Sequence, residues 1–477
     1  REQKEQAGLT RGLTRGIWAR CAAAMRRSGC FYGVLLTCLV GGHATVAVFT
    51  GATWLGLRGG ATPAGERPHE LPQEASHLDD VTRHVTVVTT ASVPWMTGTA
   101  VNPLLRAAHL TEDRAEGLVT LLLPWVEEED QRKVFPKGIV FATEEDQRQH
   151  VLRWLAEDAH MPTAATKLRI RFYHGRYHRE FGSIFSMGSV VSLLPDDETD
   201  ICILEEPEHL NWFRFPEVGW LDKFNFVVGI IHTNYVVYAG QEKGAWAVPF
   251  VWGLSQWMCR AYCNKVIKLS ATLQTYAPEK EVVSNVHGVR DNCFRIGREA
   301  ELKGFSRGAY FVGKHLWAKG FDHLFRLMKH YSNTVTDGAG GCFPIDLYGT
   351  GPDLDAIEHR ARETGLPVTV NGYADHMGLK DYRVFVNPSL TEVLCTTTAE
   401  ALAMGKWVVC PKHPSNDFFA EFPSCLQYTT PDEFAAAVYW ALTHDPPPLL
   451  PEVKRKLSWE AAMERLPGGG PVAQDDS

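Results

Sequence analysis

The sequence predicts an α/β protein of two doubly wound, Rossmann-like domains facing each other across a central cleft. Three observations predict it. Short, nearly continuous apolar runs alternate with longer mixed stretches, the pattern of parallel strands buried on both faces and joined by helices. The alternation occurs twice, once on each side of about residue 290. The chain has 477 residues, too many for one hydrophobic core.

In the first half the strand candidates are residues 84–90, 118–124, 168–173, 201–204, 226–232 and 265–269, after which 282–289 lead out. In the second half they are 309–312, 344–348, 368–370, 384–386 and 407–410. This sets an N-terminal domain at 81–290 and a C-terminal domain at 291–466, closed by a short helix near 457–463. Residues 467–477 are Gly-rich and acidic and read as a disordered tail. Residues 1–80 form a partly disordered extension. Within it, 28–57 contain no Lys, Arg, Asp or Glu and could span a bilayer, but their Gly and Thr content fits a targeting or disordered segment too. Residues 58–80 read as a linker. The chain does not begin with Met, so its true start is expected upstream.

Composition narrows the function. Net charge is −8, and residues 1–60 carry eight Lys/Arg against two Glu, so the rest of the chain is at −14. An acidic body argues against nucleic acid as the main partner. The eleven cysteines include no C-x-x-C pair, which points to reduced thiols and not to a disulfide framework or zinc site. The nineteen histidines show no metal-ligand spacing.

The stretch from Thr391 to Gly405 lies between two apolar strand candidates and contains Glu392 and Glu400, eight residues apart. The amides at the start of its helix, near Leu394, Cys395 and Thr396, make a seat for phosphate. Carboxylates beside that seat could accept hydrogen bonds from sugar hydroxyls. Thr397 and Glu400 also fit an S/T-x-x-E capping box, so spacing alone leaves Glu400 as either a cap or a binding group. Lys314 and Lys319 follow the strand at 309–312 and supply point charge suited to phosphate, or are two solvated surface lysines. Thr97, Gly98 and Thr99 follow the first strand, where small residues let a ligand approach the backbone. Gly349 and Gly351 end another strand and fit a plain turn equally. The absence of G-x-G-x-x-G counts against a dinucleotide cofactor.

His232 ends an apolar strand, as a structural histidine or as a group aimed across the cleft. Glu205, Glu206 and Glu208 cluster carboxylates at the end of another. Asp353 and Asp355 form a D-x-D read as a helix cap. Arg169, Arg171, His174, Arg176, His178 and Arg179 interleave with Phe172, Tyr173 and Tyr177. With Trp212, Phe213 and Trp220 they read as a membrane-facing surface or as an ordinary strand and basic loop.

Together, the Glu392–Glu400 pair, the Gly313-Lys314…Lys319-Gly320 loop and the paired halves resemble the retaining glycosyltransferases of family 4, which have the GT-B fold. Longer strings, at 84–103, 203–212, 228–235, 284–289, 317–320, 393–405, 413–416 and 457–460, are similar to the galactolipid-forming members of plant and algal plastids. The resemblance covers residues 84–466. It implies transfer of galactose from UDP-galactose to monogalactosyldiacylglycerol with retention of configuration, giving digalactosyldiacylglycerol and UDP. No cofactor or metal is implied. The implied place is the plastid outer envelope, on its surface or N-terminally anchored.

By position, the resemblance gives Lys314 and Lys319 to the diphosphate, Glu392 to donor-sugar hydroxyls and Glu400 to the ribose. Leu394, Cys395 and Thr396 would complete the phosphate seat by their amides, and Gly349 joins the nucleotide-binding set. Thr97, Gly98, Thr99 and His232 would come from the N-terminal domain, and His287 would line the cleft. Glu392, His232 and Lys319 form the implied catalytic set. Family members often have Arg where Lys314 stands, so the bidentate fork is lost here. The competing readings are a family 4 enzyme with another sugar or acceptor, a nucleotide-sugar-binding protein without turnover, and a nicotinamide oxidoreductase.

Overall fold

The computed structural model describes residues 78, 80–136, 138–179, 181–212, 218–335 and 341–466. The expectations for the extension at 1–80, apart from Leu78 and Asp80, and for the tail at 467–477 lie outside the described residues, as does Phe213.

The first sheet contains β1 (Val85–Val88), β2 (Val119–Val126), β3 (Arg169–His178), β4 (Ser183–Ser186), β5 (Ile201–Glu205), β6 (Phe226–Ile231), β7 (Lys265–Lys268) and β8 (Glu281–Val283). Its spatial order is β4-β3-β2-β1-β5-β6-β7-β8. Every pairing is parallel except the β3–β4 hairpin. The second sheet contains β9 (Arg307–Val312), β10 (Ile345–Tyr348), β11 (Val368–Asn371), β12 (Tyr382–Val386), β13 (Trp407–Pro411) and β14 (Cys425–Tyr428). It is wholly parallel, in the order β11-β10-β9-β12-β13-β14. The strands β4, β8 and β14 lack a legible apolar run; β4 and β8 are short edge strands with half-exposed residues, and β14 carries a polar Gln427.

Helices α1 (Gly98–Glu112), α2 (Glu128–Val134), α3 (Glu144–Glu157), α4 (Pro162–Lys167), α5 (Pro207–Leu210), α6 (Trp220–Lys223), α7 (Tyr235–Lys243) and α8 (Val248–Tyr262) accompany the first sheet. Helices α9 (Asp291–Lys303), α10 (Phe321–Thr334), α11 (Leu354–Thr364), α12 (Thr396–Ala403) and α13 (Pro431–Thr443) accompany the second. The chain closes with α14 (Pro451–Lys456) and α15 (Trp459–Arg465).

In each sheet the chain starts in the middle, winds outward on one side, and then crosses to the other. The switch points lie between β1 and β5 and between β9 and β12. Parallel sheets bind ligands in the crevice beyond the carboxyl ends of such strands. The loops leaving those four ends are the ones singled out in the sequence: 97–99 after β1, 205–209 after β5, 313–320 after β9 and 387–395 after β12. Two apolar cores sit under the two sheets. The closing helix joins the first core through Trp459, Ala462 and Leu466, packing on α1. Val393, from the loop after β12, also enters the first core.

Within the basic stretch around β3, three arginines have acidic partners in the same chain. Arg169 and Arg171 both bind the Glu198 carboxylate, Arg171 Nε at 2.7 Å from Oε2. Arg176 Nε donates to Asp130 Oδ2 at 2.7 Å. Tyr173 and Trp220 are buried. Arg169 and Arg171 lie on one face of the strand and meet Glu198, and Arg176 on the other meets Asp130.

Candidate active site

The second sheet builds the larger part of the site. Residues 313–320 leave β9 and turn through a short 3₁₀ segment, Trp317–Lys319. The Trp317 amide donates to Asp353 Oδ2 at 3.0 Å. Asp353 does occupy the N-cap position of α11, but its carboxylate holds this loop and makes no side-chain cap bond. The loop from β12 is stitched onto it: Thr391 Oγ1 donates to the Ala318 carbonyl at 2.8 Å. At Gly320, a Cβ would meet the Pro388 carbonyl oxygen at 2.5 Å, so only glycine allows this approach. Across the stitch, Lys319 Nζ donates to Glu392 Oε1 at 2.6 Å. Lys314 is exposed at the cleft surface. The walls around its amine and the nearby positive Lys319 push its pKa down.

Gly349 marks a second close approach. It has φ +144°, and a Cβ there would lie 1.8 Å from the Gly313 carbonyl oxygen and 2.9 Å from His315 Nδ1. The backbones also bond, Gly313 N to Tyr348 O and His315 N to Thr350 O, each at 3.0 Å. Gly349 thus supports the lysine loop from behind.

Helix α12 starts at Thr396, with Cys395 at the N-cap and no side-chain cap bond. Thr397 is therefore inside the helix, and the capping-box reading of Thr397 and Glu400 is wrong. Glu400 lies in the second turn. It pairs with His376 Nδ1 at 2.8 Å and Arg290 Nη2 at 3.4 Å. Burial raises its pKa, but these two partners outweigh burial and hold the carboxyl below the usual range. His376 Nε2 meets the Tyr310 hydroxyl at 2.7 Å. Buried Lys406 steadies the turn carrying His376, donating to the carbonyls of Leu379 at 2.8 Å and Tyr382 at 2.5 Å. Burial lowers the Lys406 pKa to about 7. Arg290 and His376 were missed in the sequence because neither belongs to a motif. The only hint was a charged residue directly after the apolar Val289.

At the helix start, the first amides bonded to the Cys395 carbonyl are Thr398 and Ala399. The amides of Thr396 and Thr397 have no carbonyl within the helix to accept them. The helix begins directly after the loop that carries Glu392, Leu394 and Cys395.

The first sheet supplies the facing residues. Thr97 and Thr99 hydroxyls meet at 3.2 Å around Gly98, which begins α1, and Thr89 Oγ1 ties the turn to β1 through the Thr99 carbonyl. His232 follows β6 and its Nε2 bonds Glu205 Oε2. Glu205 Oε1 accepts from Arg106 Nε at 2.7 Å. Burial raises the Glu205 pKa, yet Arg106 and His232 bring it below the usual range. The His287 ring lies 4.9 Å from that of His232 between centroids, tilted by 34°. Neither of its ring nitrogens has a partner among the described residues. Burial, followed by the charges of His232 and Arg106, drives its pKa well down, so the ring is neutral.

The three clustered glutamates have different fates. Glu206 takes φ +70°, rare for a residue with a side chain and a mark of a constrained site. It accepts from Thr90 at 2.7 Å, Thr233 at 2.5 Å and Tyr235 at 3.0 Å. Glu208 is fully buried, with no partner on either oxygen among the described residues, and burial pushes its pKa far up. Thr272 Oγ1 and the Val393 carbonyl, 3.5 Å apart, link the two halves beside the Glu392 loop. Among the described residues no group of three His, Cys, Asp or Glu is placed to hold a metal ion.

Chemically, the second half offers two ammonium groups and a helix N-terminus for a diphosphate, with carboxylates nearby for hydroxyls. The first half offers a histidine–glutamate–arginine relay and a neutral histidine.

Comparisons with known proteins bear on the family and the fold. The family described as Glycosyl transferases group 1 matches residues 306–444, from β9 to the end of α13. The solved structure of Anabaena HepE in complex with UDP and glucose aligns over 80% of this chain and 98% of that one, with a TM-score of 0.51 at 12% identity, which shows the GT-B fold. A chloroplastic digalactosyldiacylglycerol synthase 1 of Lotus japonicus is 46% identical over 398 residues, 82% of this chain and 49% of that protein. A chloroplastic digalactosyldiacylglycerol synthase 2 of Glycine max is 42% identical over 396 residues, 81% of this chain and 83% of that protein. The chain spans about half the length of the synthase 1 relatives and most of the synthase 2 relatives. At that identity and coverage, with the GT-B fold around the cleft, the chain belongs to the digalactosyldiacylglycerol synthase family.

Proposed function

We propose that this chain transfers galactose from UDP-galactose to monogalactosyldiacylglycerol, with retention of configuration, giving digalactosyldiacylglycerol and UDP. The observation that carries the reading is the Lys319–Glu392 pair, set at the switch point of the second sheet beside a helix N-terminus. A diphosphate arriving at Lys314, Lys319 and the Thr396 and Thr397 amides would share the Lys319 cation. Glu392 would then be free to accept from hydroxyls of the donor sugar. Glu400, kept ionised by His376 and Arg290, would accept from the ribose.

The acceptor hydroxyl attacks the anomeric carbon on the face that the leaving UDP vacates. The C–O bond to phosphate breaks as the new glycosidic bond forms. The acceptor proton passes to the departing phosphate, whose charge the lysines and amides stabilise. His232, held by Glu205, is oriented from the facing half to bond the sugar. Because these groups supply the positive charge, turnover is proposed to need no metal. The place of action is proposed to be the plastid outer envelope surface, the relatives being named chloroplastic.

Incubating the full chain with labelled UDP-galactose and monogalactosyl lipid tests this. The expected product is a digalactosyl lipid whose new anomeric centre is α by NMR, formed equally well in EDTA. UDP binding without transfer would leave a nucleotide-sugar-binding protein. Transfer from UDP-glucose but not UDP-galactose would mean another donor.

A further inference from the structure

Among the described residues Arg106 is the largest charged side chain that is fully buried. It sits on α1 beside Leu104, Leu105, Ala107 and Ala108, all buried as well. Its Nε donates to Glu205 Oε1 at 2.7 Å and its Nη1 to the Val286 carbonyl at 2.8 Å. Its Nη2 has no partner among the described residues. Its guanidinium lies 5.6 Å from the centre of the Trp459 ring. An ion pair so deeply buried recovers its desolvation cost poorly, and an apolar side chain of similar volume would serve stability at least as well. A charge here is a poor choice for the core alone, and its contacts point to another use.

We propose that Arg106 is a positioning residue for galactosyl transfer: it fixes Glu205 to the segment joining the two halves and thereby aims His232 at the sugar. This rests on the transfer reading proposed above. The Glu205 carboxylate is the bridge, with one oxygen taken by Arg106 and the other by His232 Nε2. An ionised Glu205 accepts from Nε2. In the neutral ring Nε2 therefore carries the proton, and Nδ1 is left to accept from a sugar hydroxyl. A carboxylate free to rotate would let the ring turn or change tautomer. Arg106 opposes both, because its planar fork holds the carboxylate with one nitrogen and a backbone carbonyl with another.

The anchor is residues 284–290, and it is itself held. The Val289 amide donates to the Leu457 carbonyl at 2.8 Å, and Arg465 Nε donates to the Asn285 carbonyl at 2.5 Å. At Gly288 a Cβ would meet the Trp459 amide nitrogen at 2.5 Å, so helix α15 begins directly against this segment. The segment ends at Arg290, which pairs with Glu400 at 3.4 Å. One short stretch of chain thus meets the arginine of Glu205 near its start and supplies an arginine to Glu400 at its end. Aimed from this anchor, His232 keeps its direction toward the half that carries the donor-side groups.

The test is a double-mutant cycle in the full chain, Arg106→Lys against His232→Ala, read as kcat and as KM for UDP-galactose. Lysine keeps the charge and loses the fork, so it cannot hold Glu205 and Val286 together. Arg106→Lys should lower kcat about ten- to hundredfold, the effect of misplacing a group by about 1 Å, and leave KM and UDP affinity near wild type. In the His232→Ala background the same change should lower kcat less than about twofold, because a residue that acts through His232 then has nothing to position. Equal losses in both backgrounds overturn the proposal and leave Arg106 a structural residue. Wild-type kcat in a folded Arg106→Lys chain, or in His232→Ala, also overturns it. Arg106→Gln, which can bond only one of the two partners, carries the same comparison if the lysine variant does not fold; loss of the fold in both makes Arg106 a core residue and overturns the proposal. The His232 ring gives a readout that needs no turnover. Nitrogen NMR should find the Nε2–H tautomer in the wild type and a mixture of tautomers in Arg106→Lys, and an unchanged tautomer overturns the positioning. If the wild-type chain makes no digalactosyl lipid yet shows that change of tautomer, the transfer reading fails and the Arg106 anchor stands.

Discussion

Lys319 and Glu392 touch each other, yet their substitutions should be told apart by different measurements. Lys319→Ala removes a charge-assisted phosphate contact, worth about 1.5–3 kcal/mol, and calorimetry should show UDP affinity weakened by about ten- to a hundredfold. Glu392→Gln keeps the shape of the loop. A contact to the reacting sugar strengthens as charge develops there, so its loss should lower turnover and leave UDP binding near normal. Near-wild-type turnover in a folded Glu392→Gln chain would take Glu392 out of the active site. Glu208 gives a prediction of another kind. Burial raises its folded pKa far above its unfolded value, so its contribution to stability is intact below the unfolded pKa and is lost as pH rises. Above that point the cost grows by about 1.4 kcal/mol per pH unit until the folded pKa is reached. Glu208→Gln should therefore raise the Tm at pH 7.5 and give no gain at pH 4; an equal change at both would mean the carboxyl is ionised in the fold. The residue types at these positions were legible, because a carboxylate or ammonium beside a strand end suggests its chemistry. Their partners were not: Glu400 meets Arg290 across 110 positions and Lys319 meets Glu392 across 73.

The loops after β9 and β12 form one unit because their backbones approach as only glycine permits. Gly349→Ala places a methyl 1.8 Å from the Gly313 carbonyl, in a backbone conformation that L side chains rarely adopt. The lysine loop must then move. We expect UDP affinity to fall at least about tenfold, with a smaller loss of Tm, since misplacing a charged group by about 1 Å is costly while the core beneath is untouched. Unchanged affinity would mean that the loop's position does not matter. The strand–loop–helix order of these elements was readable from apolar periodicity. Gly349 itself read equally as a plain turn, because a close backbone approach between distant loops leaves no local pattern. The β3 arginines illustrate the converse: a strong local pattern of charge and aromatics left two readings open, and their partners Glu198 and Asp130 lie far away in the sequence.

At the largest scale, the two cores are tied together by the last helix among the described residues. Trp459 is almost fully buried, stacks on His109 at 5.5 Å and packs in the first core although it follows the second sheet. Trp459→Ala should cost about 3–5 kcal/mol and lower the denaturant midpoint of the first half in particular. A chain of residues 78–466 should unfold with the wild-type midpoint, since Leu78 is already buried and its carbonyl accepts from Arg114. A large loss of stability in that shorter chain would show that residues before 78 complete the core.

The sequence by itself determined what periodicity and residue chemistry can encode locally. That includes two parallel sheets, the loops at their carboxyl ends, and the lysines, glutamates and small residues those loops present. Backbone hydrogen bonding and burial act on neighbours along the chain and leave their period in it. Only the tertiary structure decided which charges meet. It put Arg290 and His376 on Glu400, gave three arginines of β3 acidic partners, and showed Glu400 to be no cap. Pairing is set by the distance between segments far apart in sequence, and that distance exists only once the chain has folded.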